Sequence, residues 1–283
     1  MRLSISNIAW NPEEDVQVTE IMEQGLATGI EIAPTKTWPS PTTVEAPEAE
    51  RYRKLWNDRG FEICAFQALL FGHPELTIFE NEEARAATIE YLDKIIDLAA
   101  ILGAKNLVFG SPKNRLVGNM PRDIADRIAV EFFGRVGKKA ESSGICFCIE
   151  PNPAQYGCDF VNTSLQGAEL VRAVGSPGFR LHLDCGAMTL NNENYEQAIE
   201  SSFDCLSHFH ISEPFLAPIG ESGTDHKRIA ATLRSLGYDG WVSIEMRSAN
   251  SQSSADDRSS EESGSNLRRV ESALNFAAKN YFQ

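Results

Sequence analysis

No stretch of this 283-residue chain approaches the ~20 consecutive apolar residues that a membrane span requires, so no membrane role is expected. Cations are scarce: 26 Lys and Arg stand against 40 Asp and Glu, a net charge of −14, and no dense basic run occurs. That excludes the electrostatic footprint of a nucleic-acid partner; acidity by itself implies solubility. None of the six cysteines falls in a Cys-x-x-Cys pair, which argues against a zinc knuckle or a thioredoxin-like motif. Free thiols in a reducing cytoplasm are the expectation. The first residues, Met1 to Asn7, read as a strand and lack a signal-peptide apolar region. No Gly-x-Gly-x-x-Gly turn follows that strand, where Asn7-Ile8-Ala9-Trp10 stands, so an open dinucleotide-binding sheet is disfavoured.

What the chain does contain is a repeated oddity. Ile145-Cys146-Phe147-Cys148-Ile149 reads as a strand buried on both faces, yet it runs straight into Glu150 and then Pro151-Asn152-Pro153. An unpaired buried carboxylate costs several kcal/mol, so such a strand end needs a reason. The pattern recurs at Phe179–Asp184, at Leu206–His210 and at Trp241–Glu245. Four successive strands thus finish on Glu150, Asp184, His210 and Glu245, at gaps of 34, 26 and 35 residues, each the length of one βα unit. Ligand-type side chains at the ends of consecutive strands have the character of a metal site.

Glycines recur where helices should stop and strands begin (Gly29, Gly60, Gly103, Gly144, Gly178 and Gly240), with amphipathic helical segments between them. Eight strands are expected, near 2–8, 29–33, 61–67, 106–110, 145–150, 179–184, 206–211 and 241–246. Alternating with helices in one domain spanning 1–283, they predict an α/β fold, a single (β/α)8 TIM barrel. Active sites of such barrels form at the C-terminal strand ends, where all four candidate ligands lie. Strand alternation sets Cys148, His182, His208 and Ser243 one layer deeper, so His182 and His208 are candidates to support the ligands from beneath.

The loops after strands 2 to 4 are expected to form the substrate rim. Trp10, Trp38 and Phe71 are candidate apolar walls; Gln67, Lys113, Arg115, Asn152, Glu213 and Arg247 are candidate polar contacts. Arg247 should rise above the site from the same strand as Glu245, with a salt bridge to Glu213 as its structural alternative. The Ser-rich run of residues 248–265 is expected to be mobile, and a last helix is expected over Leu267–Tyr281.

Two Glu, one Asp and one His make an oxygen-rich set that suits one divalent ion, Mn²⁺ or Mg²⁺ first, with Co²⁺ or Zn²⁺ as further candidates. Such an ion polarises a carbonyl, and a carboxylate in reach can take the neighbouring proton to give an enediolate. Reprotonation on the same carbon epimerises, on the next carbon isomerises, and loss of a β-hydroxyl dehydrates. The ligands leave these outcomes open, as they leave open a barrel that holds metal and sugar without catalysis.

Glu150-Pro151-Asn152, His182-Leu183-Asp184, His208-Phe209-His210 and Ile244-Glu245 resemble the xylose-isomerase-like TIM barrels, which include sugar and sugar-phosphate isomerases, epimerases, dehydratases and endonucleases. In the ketose 3-epimerase branch, a Glu, Asp, His, Glu set binds one divalent ion. The resemblance carries those ligands onto Glu150, Asp184, His210 and Glu245, and implies that Glu150 and Glu245 are catalytic, flanking the carbon that exchanges its proton. It implies a small carbohydrate-like substrate and a homo-oligomer. Two departures stand out: Ala187 occupies a position where those epimerases carry His, and Glu213 to Pro218 offers no arginine after the metal His. The extra ligands of the endonuclease branch are missing, with Gln67, Gly110, Ala187 and Ser212 near their places.

Overall fold

Each apolar run found in the sequence forms a strand of one sheet: β1 Arg2–Ser6, β2 Ala27–Ile32, β3 Glu62–Phe66, β4 Asn106–Phe109, β5 Cys146–Ile149, β6 Phe179–Asp184, β7 Leu206–Ser212 and β8 Trp241–Glu245. All neighbours run parallel, and β8 pairs back onto β1, closing the barrel. The computed structural model describes residues 1–249 and 260–283, side chains of 260–263 excepted. Most of the Ser-rich stretch expected to be mobile lies outside the described residues.

Helices α1 Asp15–Glu23, α2 Pro34–Thr37, α3 Ala46–Asn57, α4 Glu82–Leu102, α5 Arg122–Ser142, α6 Ser164–Val174, α7 Cys185–Leu190, α8 Tyr195–Ser202, α9 His226–Ser235 and α10 Ser260–Tyr281 fill the connections. Their ends follow local chemistry. The Asn81 side chain accepts from the Ala84 N–H at the start of α4, and Gly103 (φ 85°) takes the left-handed turn that stops it. Gly29 departs from the expected pattern. It lies inside β2, because a Cβ there would sit 2.5 Å from the Trp241 ring on the far side of β1. The last helix also starts earlier than expected, at Ser260 rather than Leu267.

The core between sheet and helices is aromatic around β4 to β6. Phe133 of α5 stacks on Phe179 at 4.7 Å and meets Phe109 edge-on at 5.8 Å, while Phe109 lies 5.4 Å from Phe147. All four are fully buried, and truncating one such ring to Ala costs about 3–5 kcal/mol. This packing fixes the strands whose ends carry Glu150 and Asp184. Register does the rest: His182 pairs with His208 and Asp184 with His210 across β6 and β7, and Ser212 pairs with Glu245 across β7 and β8. No helix among the described residues is long and apolar enough to cross a membrane.

Candidate active site

Glu150, His210 and Glu245 line a cleft of about 650 Å³ at the C-terminal strand ends, and Asp184 sits among them, nearly buried. His210 Nδ1 lies 3.2 Å from Glu245 Oε2 and 3.9 Å from Asp184 Oδ2, without a well-directed hydrogen bond to either. Ligand atoms of Glu150, His182, Asp184 and His210 all fall within 4.8 Å of one another. Asp184 is held by the Ala187 N–H (2.6 Å) at the start of α7 and by the Ser212 hydroxyl (2.5 Å). Gly110 allows Glu150 its place, since a Cβ there would collide with the Glu150 carboxylate.

The electrostatics of this floor are unresolved by the protein alone. Burial, then Glu245 and Asp184, push the Glu150 carboxyl up to about 8. Burial, then Glu245, push Asp184 up to about 6. Carboxylates crowded in this way call for a cation. Neither ring nitrogen of His182 has a hydrogen-bond partner among the described residues, and burial, then His210 and His208, holds its pKa well below the ordinary value. It is a neutral imidazole with Nε2 3.8 Å from Glu150 Oε1. The donor set fits a divalent metal: within that group Glu150 and Asp184 offer oxygens and His210 and His182 offer nitrogens, while Glu245, expected as the fourth ligand, approaches His210 Nδ1 to 3.2 Å without joining the group.

A residue missing from the expected set organises the layer beneath. Glu31 of β2 is fully buried, and its carboxylate accepts from His208 Nε2 (3.1 Å), His210 Nε2 (2.9 Å) and the Ser243 hydroxyl (3.0 Å). Burial alone would raise its pKa, yet His210 and His208 outweigh burial and hold it far below the usual carboxylate range. An ionised carboxylate only accepts, so His210 must donate through Nε2, which turns Nδ1 toward Asp184 and Glu245. The signal for Glu31 was present in Gly29-Ile30-Glu31-Ile32, a carboxylate inside an apolar run.

Other expected site residues divide into two groups. Gln67, Phe71, Lys113, Asn152 and Arg247 line the cleft. Trp10 and Trp38 do not. Trp10 is fully buried with its indole N–H on Asp15 (2.7 Å). Trp38, expected as an apolar wall of the cleft, is 8% exposed; its N–H donates to Glu48 (2.8 Å), because α2 folds the loop back onto α3. Arg115 is fully buried beneath the cleft and donates to the Glu150 carbonyl (2.7 Å) and to Asn152 Oδ1 (3.1 Å), so it props the site rather than facing substrate. Glu213 is buried too. It accepts from His226 (3.1 Å) and the Gly220 N–H (2.8 Å), tying the β7 loop through His226 to Tyr281, and it forms no salt bridge with Arg247. All six cysteines are free, and burial, then Asp184, pushes the Cys185 thiol up, which leaves it inert. Sequence reading also missed Tyr156 and Phe215, which line the cleft from the β5 and β7 loops.

With this geometry in hand, the chain can be set beside known proteins. The model of the xylose isomerase-like TIM barrel matches residues 21–270. The chain belongs to that family. A ketose 3-epimerase of Arthrobacter globiformis is 25% identical over 163 residues, 56% of this chain and 55% of that protein. A D-psicose 3-epimerase of Ruminiclostridium cellulolyticum is 27% identical over 117 residues, 41% of this chain and 40% of that protein. This xylose isomerase-like barrel thus spans about half the length of the curated relatives it matches. A crystal structure of D-psicose 3-epimerase in the presence of D-fructose superposes with a TM-score of 0.81 over 100% of both chains at 17% identity, a likeness of fold.

Proposed function

We propose that this barrel is a divalent-metal-dependent isomerase or epimerase of a sugar or sugar phosphate. The observation that carries the reading is the floor of the cleft, where Glu150 and Glu245 stand three strands apart around Asp184 and His210. Glu150, Asp184, His210 and Glu245 would hold the metal, and a divalent ion there supplies the positive charge that polarises a carbonyl and stabilises an enediolate. The chain's own residues do the rest. Glu31 orients His210, Ser212 and the Ala187 N–H orient Asp184, and Arg115 fixes the main chain at Glu150. In this reading the two glutamates flank the substrate, one taking the proton and the other returning it. Asn152 and Gln67 stand beside the floor for hydroxyl groups.

β-Elimination from a keto-polyol or keto-cyclitol is the second reading. It is favoured by Ala187 and by the Glu213–Pro218 loop, which present no histidine or arginine to the cleft beyond the shared floor. Incubation with Mn²⁺ in D₂O tests both: NMR of a panel of ketoses, ketose phosphates and keto-cyclitols should show deuterium entering next to the carbonyl of at least one. A new stereoisomer marks epimerisation, and loss of water marks elimination. If no compound exchanges while metal binds, a sugar-binding barrel without catalysis replaces both.

A further inference from the structure

The catalytic reading uses only the floor, yet the cleft extends well beyond it. A six-carbon ketose fills on the order of 200 Å³, whereas about 650 Å³ is comparable with pockets that enclose larger ligands of ~300–1,000 Å³. The outer part is flanked by two aromatic side chains that folding leaves in water. Phe71 is 72% exposed and Phe215 57% exposed, and both line the cleft. They stand on the loops after β3 and β7, strands four apart in the ring of eight.

Both loops hold these rings at a cost. Phe215 (φ 60°) and Leu216 (φ 57°) are consecutive non-glycine residues in the left-handed region, and Ala68 (φ 52°), whose carbonyl accepts from the Phe71 N–H, is a third. Such backbone is retained only where its surroundings enforce it. Here they do: the Phe215 N–H donates to the Tyr156 hydroxyl (2.9 Å), the two rings meet edge-on at 5.6 Å, and the Arg247 N–H donates to the Leu216 carbonyl (3.0 Å). Strain of this kind contributes nothing to the core, since the rings it presents stay exposed.

We propose that Phe71, Phe215 and Tyr156 form an outer subsite for a ring carried on the far end of the sugar, so that the preferred substrate is a substituted ketose rather than a free one. The inference rests on the floor being the carbonyl site. Either kind of ring gains burial against the exposed phenyl groups, a sugar by laying its C–H groups on an aromatic face and an arene by offset or edge-to-face packing. The substituent belongs on the oxygen farthest from the reacting carbons, because the floor is central and the aromatic residues are outermost.

The probes are D-fructose, isomaltulose (glucose on O6 of fructose) and 6-O-benzyl-D-fructose, with dissociation constants from ligand-observed NMR in Mg²⁺. At least one substituted ketose should bind about tenfold tighter than D-fructose. A preference for isomaltulose identifies a sugar ring, one for the benzyl ether an arene. Phe71→Leu and Phe215→Ala should each lower the ratio about threefold, and together bring it to parity. A ratio at or below one in the parent protein, or one unchanged in the double variant, overturns the subsite. If the double variant instead shifts the sedimentation of the protein while the ratio stays put, the rings cover a second copy and the proposal falls. Failure of proton exchange with every ketose would remove the catalytic reading alone, since the binding ratio is measured without turnover.

Discussion

Glu31 and Glu150 are both strand carboxylates set among histidines, in adjacent layers of one barrel, and their surroundings drive them in opposite directions. Glu31 collects three donors and stays ionised far below the usual range. Glu150 faces Glu245 and Asp184, and its carboxyl is pushed up to about 8. Desolvation is the largest influence on both, so burial does not separate them; the sign of the neighbours does. Glu31 has its charge balanced by donors within the chain, while the upper layer is arranged for a positive charge from outside it. Between them stands His210, with Nε2 committed downward and Nδ1 turned upward.

The largest expected effect breaks the upper layer. Glu150→Gln and Glu245→Gln keep shape and one acceptor oxygen but remove the base, and each should lower turnover by at least ~10²-fold with metal still bound at saturating supply. Single-turnover kinetics with metal analysis check this. Exchange of the substrate proton with solvent is expected to survive on the face served by the remaining glutamate. Full activity in both variants would move the base elsewhere, with His208 the first group to test.

Breaking the lower layer should act through affinity instead. Glu31→Gln places an amide N–H₂ against imidazole N–H groups and frees His210 to change tautomer. Loss of such a supporting partner typically costs ~10–100-fold in metal affinity. Calorimetric titration with Mn²⁺ should show that drop, and turnover at saturating metal should recover most of its value. A variant that binds Mn²⁺ normally would reduce Glu31 to a core residue.

The opposite pKa shifts also predict a pH signature. Glu31, lowered from 4.5, contributes stability that is present above pH 4.5 and is lost as pH falls. Glu150, raised from 4.5 to about 8, contributes stability that is present below pH 4.5 and is lost as pH rises toward 8; Asp184 does the same between 3.8 and about 6. Added Mn²⁺, which takes the place of the protons on Glu150 and Asp184, should therefore raise the melting temperature of chelator-treated protein more at pH 8 than at pH 5. Glu150→Gln should flatten the alkaline limb and Glu31→Gln the acid one. Differential scanning calorimetry across that range decides it, and an alkaline limb that Glu150→Gln leaves unchanged would contradict the shifts.

The two layers also differ in how far sequence reveals them. Glu150, Asp184 and Glu245 could be picked out as candidates because each closes an apolar run, and His210, two residues inside β7, because it repeats their spacing. Glu31 was not singled out, since it lies one residue inside its strand and before Ala33-Pro34, although the argument from an unexplained buried charge applies to it equally. Barrel topology followed from strand count and spacing. The rim followed only in part, through the loops after β3 and β4: whether a loop aromatic faces the cleft depends on backbone set by distant contacts, such as the Tyr156 hydroxyl that pins Phe215. Arg115 looked like a substrate cation by composition, yet Glu150 and Asn152 draw it beneath the surface.

The smallest expected effect tests that rim. Trp38 lies in a separate, smaller cleft with Asn7, Lys36 and Glu48, where its ring meets Tyr52 edge-on at 4.9 Å and its N–H reaches Glu48. Trp38→Phe keeps an aromatic against Tyr52 and deletes one hydrogen bond, a loss of about 1 kcal/mol. The melting temperature should fall by ~2–4 °C, the usual shift per kcal/mol in a domain somewhat smaller than this one. The KM of whichever ketose exchanges its proton should stay within twofold of the parent value, because no atom of Trp38 lines the cleft above Glu150. A KM raised tenfold with stability unchanged would mean that the loop after β2 swings over the strand ends when substrate binds. The rim would then extend to the side of the barrel that the sequence alone assigned to it.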